Sequence, residues 1–409
     1  MKKKKTGLII GIIAGVLALL LIVGVVLFGV LGGGTVLAVL LRNKDSKEDV
    51  DNLFDEGLVA VKSGEKWGFV DAKGKYVINP QFDSAGSFTE NGLAWVNLDG
   101  KEGYINKKGE YVINPQFEYA YDFTENGLAK VTVNDKDGFI NEKGKYVINP
   151  QFDYAYNFAD NGLTAVEVND RYGFIDEKGK YVINPQFDDA YNFSDNGLAR
   201  VEVDGKWGYI NEKGEYVINP QFDWAGSFGD NGLDVVSVDE KWGYVNKKGE
   251  YVINPQFDWA GTFADNGLAA VGTGDKYGFI DEKGKYVINP QFDDFYNFTK
   301  DGLAAVCTGD KWGFIDKSGK YVINPQFDDV NGMHSGMSLV CNEDTERYGY
   351  IDKSGKYVIN PQFDDASDFY DDGYAVVKSG EMWGVINKKG EYVINPQFDG
   401  IDWHQNYNW

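Results

Sequence analysis

The side chains best placed for chemistry are aromatics and carboxylates that return at one position of a repeating sequence. Tyr119 and Tyr121, Tyr154 and Tyr156, Tyr191 beside Asp189, and then Trp224, Trp259 and Tyr296 fall in the same variable stretch of successive units. Rings strung along a repeat and set beside acids suit the gripping of sugar rings or of a peptide. They equally suit padding between one unit and the next, since single exposed aromatics are ordinary. These residues are the candidate ligand contacts.

Acid–base and metal chemistry have less to work with. The chain has two histidines, His334 in an irregular loop and His404 in the C-terminal tail, and both read as surface residues. A glycosidase-like reaction needs one pair of acids flanking a cleft. Here the acids recur with the unit; Glu102 and Asp137, which replace an aromatic at equivalent positions, are the nearest candidates, with nothing to orient them. No catalytic residue is assigned. Asn134-Asp135-Lys136-Asp137-Gly138 resembles part of a calcium loop but lacks the first ligand and the distal glutamate. No metal or cofactor is expected. The two cysteines, Cys307 and Cys341, occupy the same position of adjacent units. A disulfide is possible if their strands lie side by side, and two free thiols result if the Cα atoms are more than about 7 Å apart.

The elements that must position these residues are set by a motif. Tyr-Val-Ile-Asn-Pro-Gln-Phe begins at Tyr76, Tyr111, Tyr146, Tyr181, Tyr216, Tyr251, Tyr286, Tyr321, Tyr357 and Tyr392, at steps of 35 residues with one of 36. All ten prolines lie in it. Self-similarity at such a period marks a solenoid, propeller or related array.

Each unit holds three runs rich in β-branched and aromatic residues, as in Leu58-Val59-Ala60-Val61, Trp67-Gly68-Phe69-Val70 and Tyr76-Val77-Ile78. Turn clusters separate them, which predicts consecutive antiparallel hairpins. Asp71-Ala72-Lys73-Gly74 carries glycine where a type I turn hands over to a left-handed residue. The valine at Val61 recurs in every unit, while its neighbour changes: Ala60, Trp95, Lys130, Ala165, Arg200, Val235, Ala270, Ala305, Leu339, Val376. Strand neighbours point to opposite faces, so the valine is expected in the core and the variable residue toward solvent or a partner. The glycine after the aromatic predicts a bulge or close backbone approach. Proline cannot donate to a ladder, so the third strand should end near Asn79-Pro80 or lie at an edge there.

Lys241-Trp242-Gly243-Tyr244-Val245-Asn246, Gly249, Tyr251-Val252-Ile253-Asn254-Pro255-Gln256-Phe257 and Gly267-Leu268-Ala269 together resemble the WG (KWG) repeat family. The resemblance covers residues 57 to about 400, with Glu102 and Asp137 departing from it. It implies a β-rich recognition or scaffolding module, largely bacterial, without a general catalytic activity or motif-defined functional residues. The expected fold is all-β, a tandem array of ten three-stranded antiparallel units stacked as an open superhelix, because ten exceeds the usual count of propeller blades. Closed propeller-like lobes are the alternative.

Around the array, residues 1–41 read as a membrane anchor, 42–56 as a linker, 57–400 as the repeats and 401–409 as a C-terminal cap. Leu8 to Leu31 is uncharged and, as a helix of about 36 Å, would cross a hydrocarbon core of about 30 Å. Lys2 to Lys5 before it point to a cytoplasmic N-terminus and extracytoplasmic repeats. Residues 51–409 carry 33 Lys/Arg against 60 Asp/Glu, a balance that repels nucleic acid. The function expected is a membrane-anchored binding or scaffold module for cell-envelope polysaccharide or protein. A carboxylate-dependent envelope hydrolase and a spacer without a specific ligand are the alternatives.

Overall fold

The computed structural model describes residues 52–54 and 56–402. The proposed span at residues 8–31 lies outside the described residues, as do His404 and the rest of the tail from residue 403. Among the described residues no helix is long and apolar enough to cross a membrane.

The unit is a four-stranded antiparallel sheet, one strand more than the sequence suggests. Blade 2 shows the pattern with β4 (Ser84–Ala85), β5 (Leu93–Leu98), β6 (Lys101–Asn106) and β7 (Tyr111–Phe117), hydrogen-bonded in that order. Blades 3 to 10 repeat it. The extra strand is the start of the variable stretch, two residues long except in blade 7, where it spans Trp259–Phe263, and is too short to leave a periodic signal.

Blade 1 supplies only β1 (Val59–Ser63), β2 (Lys66–Val70) and β3 (Tyr76–Phe82) from its own sequence. Its fourth strand, Gly400–Ile401, comes from the last repeat and is paired through Val61↔Ile401 and Lys62↔Gly400. Asp399 and Asp402 donate their main-chain N–H groups to Lys62 and Ala60 at 2.9 and 2.8 Å, extending the seam. The first and last repeats therefore share a sheet, and the array closes into a ten-bladed β-propeller. This corrects the expected open superhelix. It also gives Ile401 of the expected cap a different task, as the strand that shuts the ring.

The core consists of the interfaces between blades. Among the described residues ten apolar clusters occur, each drawn from two consecutive blades. At the first, Ala60, Phe69, Ile78 and Phe82 of blade 1 meet Ala85, Phe88, Ala94, Val96 and Ile105 of blade 2. At the closure, Val376, Val385, Ile394 and Phe398 meet Val59, Val61, Val70 and Ile401. Each fully buried Val, Ile or Phe contributes about 1.5–3 kcal/mol, so no blade could keep its core alone. Leu53 and Phe54 of the expected linker join this last cluster, Phe54 meeting Tyr374 edge-on at 5.6 Å.

Burial on both faces overturns one expectation. The recurrent valine is buried in every blade, and its variable neighbour is buried in eight of them: Ala60, Ala165, Ala270, Ala305 and Val376 are 0% exposed and Lys130 only 4%, while Trp95 and Arg200 are half-buried. A blade has a neighbour on each side, so alternation no longer separates core from solvent.

The motif strand forms the outer edge of each sheet, with proline within it. Opposite the proline lies the second-strand glycine; a Cβ on Gly68 would stand 2.5 Å from the Ile78 carbonyl oxygen and 2.6 Å from Pro80 N. The ladder shifts register at this point, between Trp67 and Phe69. Gly74 closes the following turn at φ 73°, its N–H reaching the Asp71 carbonyl at 2.8 Å.

Candidate functional site

Blades splay apart with distance from the axis, so contacts between matching positions of neighbouring blades mark the inner edge. Such contacts gather at the short first strand and the loop beyond it. Tyr156 and Tyr191, one repeat apart, have ring centroids 5.9 Å apart. Asn192 Nδ2 donates to the Asn157 carbonyl, also one repeat apart, and Ser87 Oγ donates to Asp402 Oδ2, one position out of phase on the neighbouring blade, at 3.1 Å. The candidate residues thus sit at the inner edge, on or beside the first strand.

One end of each blade but the last is stapled by charge. The aspartate after Gln-Phe opens the crossing to the next blade and receives a basic residue 17 positions back, as in Lys66–Asp83 at 2.5 Å and Arg347–Asp364 at 2.6 Å. Its second oxygen accepts a main-chain N–H from the next hairpin turn, Asp99 N to Asp83 Oδ2 at 2.7 Å. At the closing blade Met382 stands where the base would be, and Asp399 accepts Gly64 N at 2.6 Å.

Above this staple lies a second interlock, between the aromatic position of one blade and the first-strand position of the next. The N–H following the first-strand position takes a carboxylate in six blades. Asp189, Asp294, Asp329 and Asp365 supply it from their own strand, for example Ala190 N to Asp189 Oδ1 at 2.7 Å. Where tyrosine holds that place, at Tyr119 and Tyr154, the acid comes from the previous blade. Ala120 N donates to Glu102 Oε2 at 2.5 Å and Ala155 N to Asp137 Oδ2 at 3.0 Å. Aromatic and acid have exchanged places across the interface. Glu102 and Asp137, the hydrolase candidates, are accounted for as acceptors that tie blades together.

Two cations, the buried Lys130 and the half-buried Arg200, complete the arrangement. Lys130 Nζ donates to the Ala155 carbonyl at 2.8 Å, lies 3.6 Å from Asp137 Oδ2, and stands 4.0 and 4.7 Å from the ring centres of Tyr121 and Tyr154. Burial holds its pKa below the usual lysine range, with Asp137 opposing that shift. Arg200, at the same position two blades on, donates to the Ala225 carbonyl. Its guanidinium lies 3.7 Å from the Tyr191 ring centre, 5.2 Å from Trp207 and 5.7 Å from Trp224.

The candidate aromatics thus join into an arc over blades 3 to 6. Lys130 links Tyr121 to Tyr154, which meets Tyr156 edge-on at 5.0 Å; Tyr156 reaches Tyr191, Arg200 bridges Tyr191 and Trp224, and Trp224 meets Trp242 at 5.0 Å. Tyr119 is 60% exposed, and Tyr121, Tyr191 and Trp224 lie between 37 and 40%. Tyr154, Tyr156, Trp259 and Tyr296 are half-buried. Trp259 packs on Tyr277 and Phe295, and Tyr296 stacks on Trp312 at 5.1 Å, so these two serve the interfaces of blades 7 and 8. Burial raises the Tyr121 hydroxyl to about 12, with Asp137 adding to the shift.

Sequence reasoning missed Lys130 and Arg200 as parts of the site. Their signal was available: they are the two basic residues at a position otherwise held by apolar side chains. Cys307 and Cys341 face Trp312 and Tyr348 within separate sheets and are free thiols, each raised in pKa chiefly by burial. His334 closes a small bridge with Met337. Among the described residues no cluster of metal-ligating side chains occurs.

Ring closure and repeat chemistry define a β-propeller of ten near-identical blades with an aromatic inner arc. The WG containing repeat model matches in ten tandem copies, from residues 67–101 to 383–407, and the chain belongs to the WG-repeat family. No curated protein matches it. Among solved structures, a eukaryotic initiation factor superposes with a TM-score of 0.50 at 11% identity, covering 84% of this chain and 97% of its own. That is a likeness of fold. The extracellular domain of a putative hybrid two-component system from B. thetaiotaomicron gives 0.30 at 9% identity, covering 84% and 58%. AztD from Citrobacter koseri gives 0.31 at 12%, covering 73% and 92%.

Proposed function

We propose that this WG-repeat propeller is a non-enzymatic binding module, anchored through residues 8–31 with its repeats outside the cytoplasm, that holds cell-envelope glycans or proteins on its aromatic arc. The observation that carries this is the continuity of the arc: exposed rings on blades 3, 5 and 6, joined through the half-buried Tyr154 and Tyr156 of blade 4 and braced by Lys130 and Arg200. A sugar or peptide laid along it would meet several flat faces on a preorganised surface. The structural employment of Glu102 and Asp137 supports binding over hydrolysis. The acidic balance supports partners other than nucleic acid.

The test is retention of cell-wall glycans and envelope proteins by the whole chain. Alanine at Tyr119, Tyr121, Tyr191 and Trp224 together should abolish retention while the unfolding midpoint stays close to wild type. Retention unchanged in that variant would remove the arc as the contact surface. A reporter active only outside the cytoplasm, fused after Trp409, should be active; a silent fusion would reverse the orientation.

A further inference from the structure

We propose that the cleft between blades 2 and 3 receives an alkylammonium or guanidinium group from a ligand, held by the Glu102 carboxylate and the face of Tyr119. The cleft is about 360 Å³ and is lined by Asn97, Gly100, Glu102, Glu118, Tyr119 and Asp135. It brings three carboxylates and the most exposed candidate aromatic, Tyr119, into one open space.

The repeat supplies its own comparison. One blade further on, Asp137 and Tyr154 occupy the positions of Glu102 and Tyr119, and the local bonding is the same. Asp137 accepts from Thr132 Oγ1 at 2.7 Å and Ala155 N at 3.0 Å; Glu102 accepts from Asn97 Nδ2 at 3.3 Å and Ala120 N at 2.5 Å. At the blade 3–4 interface this acid–aromatic pair holds a cation, the Lys130 ammonium, at 3.6 Å from the acid and 4.7 Å from the ring centre. At the blade 2–3 interface the position of Lys130 is Trp95, whose indole lies over Gly86, where a Cβ would be 2.1 Å from Nε1.

The same acid and ring are therefore present without the chain's own ammonium, and here the interface opens to solvent. Burial raises the Glu102 carboxyl above its ordinary range, as fits an acid whose neighbours donate hydrogen bonds but bring no full positive charge. The basic residue at the rim, Lys101, sits 3.7 Å from Glu118 and is 48% exposed, leaving Glu102 to an incoming group. A cation over a tyrosine face and beside a half-buried carboxylate gains from both. The site shares Tyr119 with the arc, but does not depend on what the arc binds.

The whole protein would be titrated with Nα-acetyl-lysine methylamide, its arginine counterpart, a glucosamine disaccharide, and the N-acetylated disaccharide as a neutral control. Binding is read by calorimetry and tyrosine fluorescence. The cationic probes should saturate, the neutral one should not, and affinity should fall as salt is added. The arms also tell an amino sugar from a basic side chain. E102Q, which keeps an acceptor for Ala120 N, should weaken the cationic probes by about tenfold or more. Y119L should weaken them by roughly 2- to 30-fold. W95K should abolish binding by supplying an internal ammonium, as Lys130 does one blade on. If W95K does not fold, E102Q alone decides. Absence of saturable cation binding, equal binding by the neutral probe, or wild-type affinity in folded E102Q would overturn the proposal. Loss of glycan retention in the arc variant with cation binding intact in wild type bears on the arc alone.

Discussion

The outer and inner strands of the blades follow opposite rules. The outer strand reads Tyr-Val-Ile-Asn-Pro-Gln-Phe ten times without change, and it makes the same contacts each time. Its isoleucine packs against the turn glycine of the next blade, as Ile78 does against Gly109, and its phenylalanine receives the next tyrosine edge-on, as in Phe82 and Tyr111 at 6.3 Å. The inner strand differs in almost every blade, yet its differences are matched. At six interfaces an acid on one side goes with an aromatic on the other, Gly86 makes room for Trp95, and Lys130 and Arg200 reach the same next-blade carbonyl position. Invariance at the rim is one solution used ten times, whereas variation at the inner edge is a set of local solutions.

The largest effect expected from this contrast lies inside. K130A should leave Asp137 without its ammonium at a site only 6% exposed, and removing one partner of a buried pair costs about 3–5 kcal/mol. A change at one inner position should thus lower the unfolding midpoint far more than A165S, at the matching position of the next blade. If both variants melt alike, Lys130 is not fixed by its interface.

Next come the glycines that face the outer strand. G173A and G243A should each cost about 1–3 kcal/mol, and by similar amounts, because both Cβ atoms would meet the same carbonyl oxygen and proline nitrogen at 2.5–2.6 Å. Unequal losses would show that the blades are not energetically equivalent at the rim.

A third test uses acid at the inner edge. Burial raises the Asp122 carboxyl to about 6, with the Asp402 carboxylate adding to the shift. A carboxyl whose folded pKa lies above its unfolded value of about 3.9 contributes stability at low pH, and loses it as pH rises through 6. D122N should therefore stabilise the ring at pH 7 and lose that advantage near pH 4, read from unfolding midpoints across the range. A constant difference would place Asp122 in water.

These contrasts also explain what was legible beforehand. The hairpins, the turn at Gly74, the backbone approach at Gly68 and the edge position of Pro80 each depend on a few neighbouring residues, and the repeat displayed them ten times. Ring closure was not legible, because it depends on Gly400 and Ile401 finding Val61 and Lys62 across the whole chain, and two residues carry no periodicity. The variable position beside the recurrent valine was misplaced for a related reason. Alternation reports one covered face, and a blade between two blades has two. Of the candidate aromatics, the exposed ones were identified by position alone, but the acid–aromatic exchange that organises them links residues 17 apart on different blades and becomes visible only once the interface is seen.

The smallest expected effect tests the rim most sharply. Val182 is 44% exposed and identical in every repeat, so packing within this chain does not explain its invariance. Its neighbours on the strand have internal reasons: Ile183 fills an interface, Pro185 faces Gly173, and Gln186 donates to the Asn184 carbonyl at 3.3 Å. V182T keeps the β-branched shape that suits a strand and removes only apolar surface. In an isolated ring it should change stability by no more than about 0.5 kcal/mol. A loss above about 1.5 kcal/mol, growing with protein concentration, would mean that the valine edges are covered when rings meet. In that case the outer strand would be a contact surface as well as a frame.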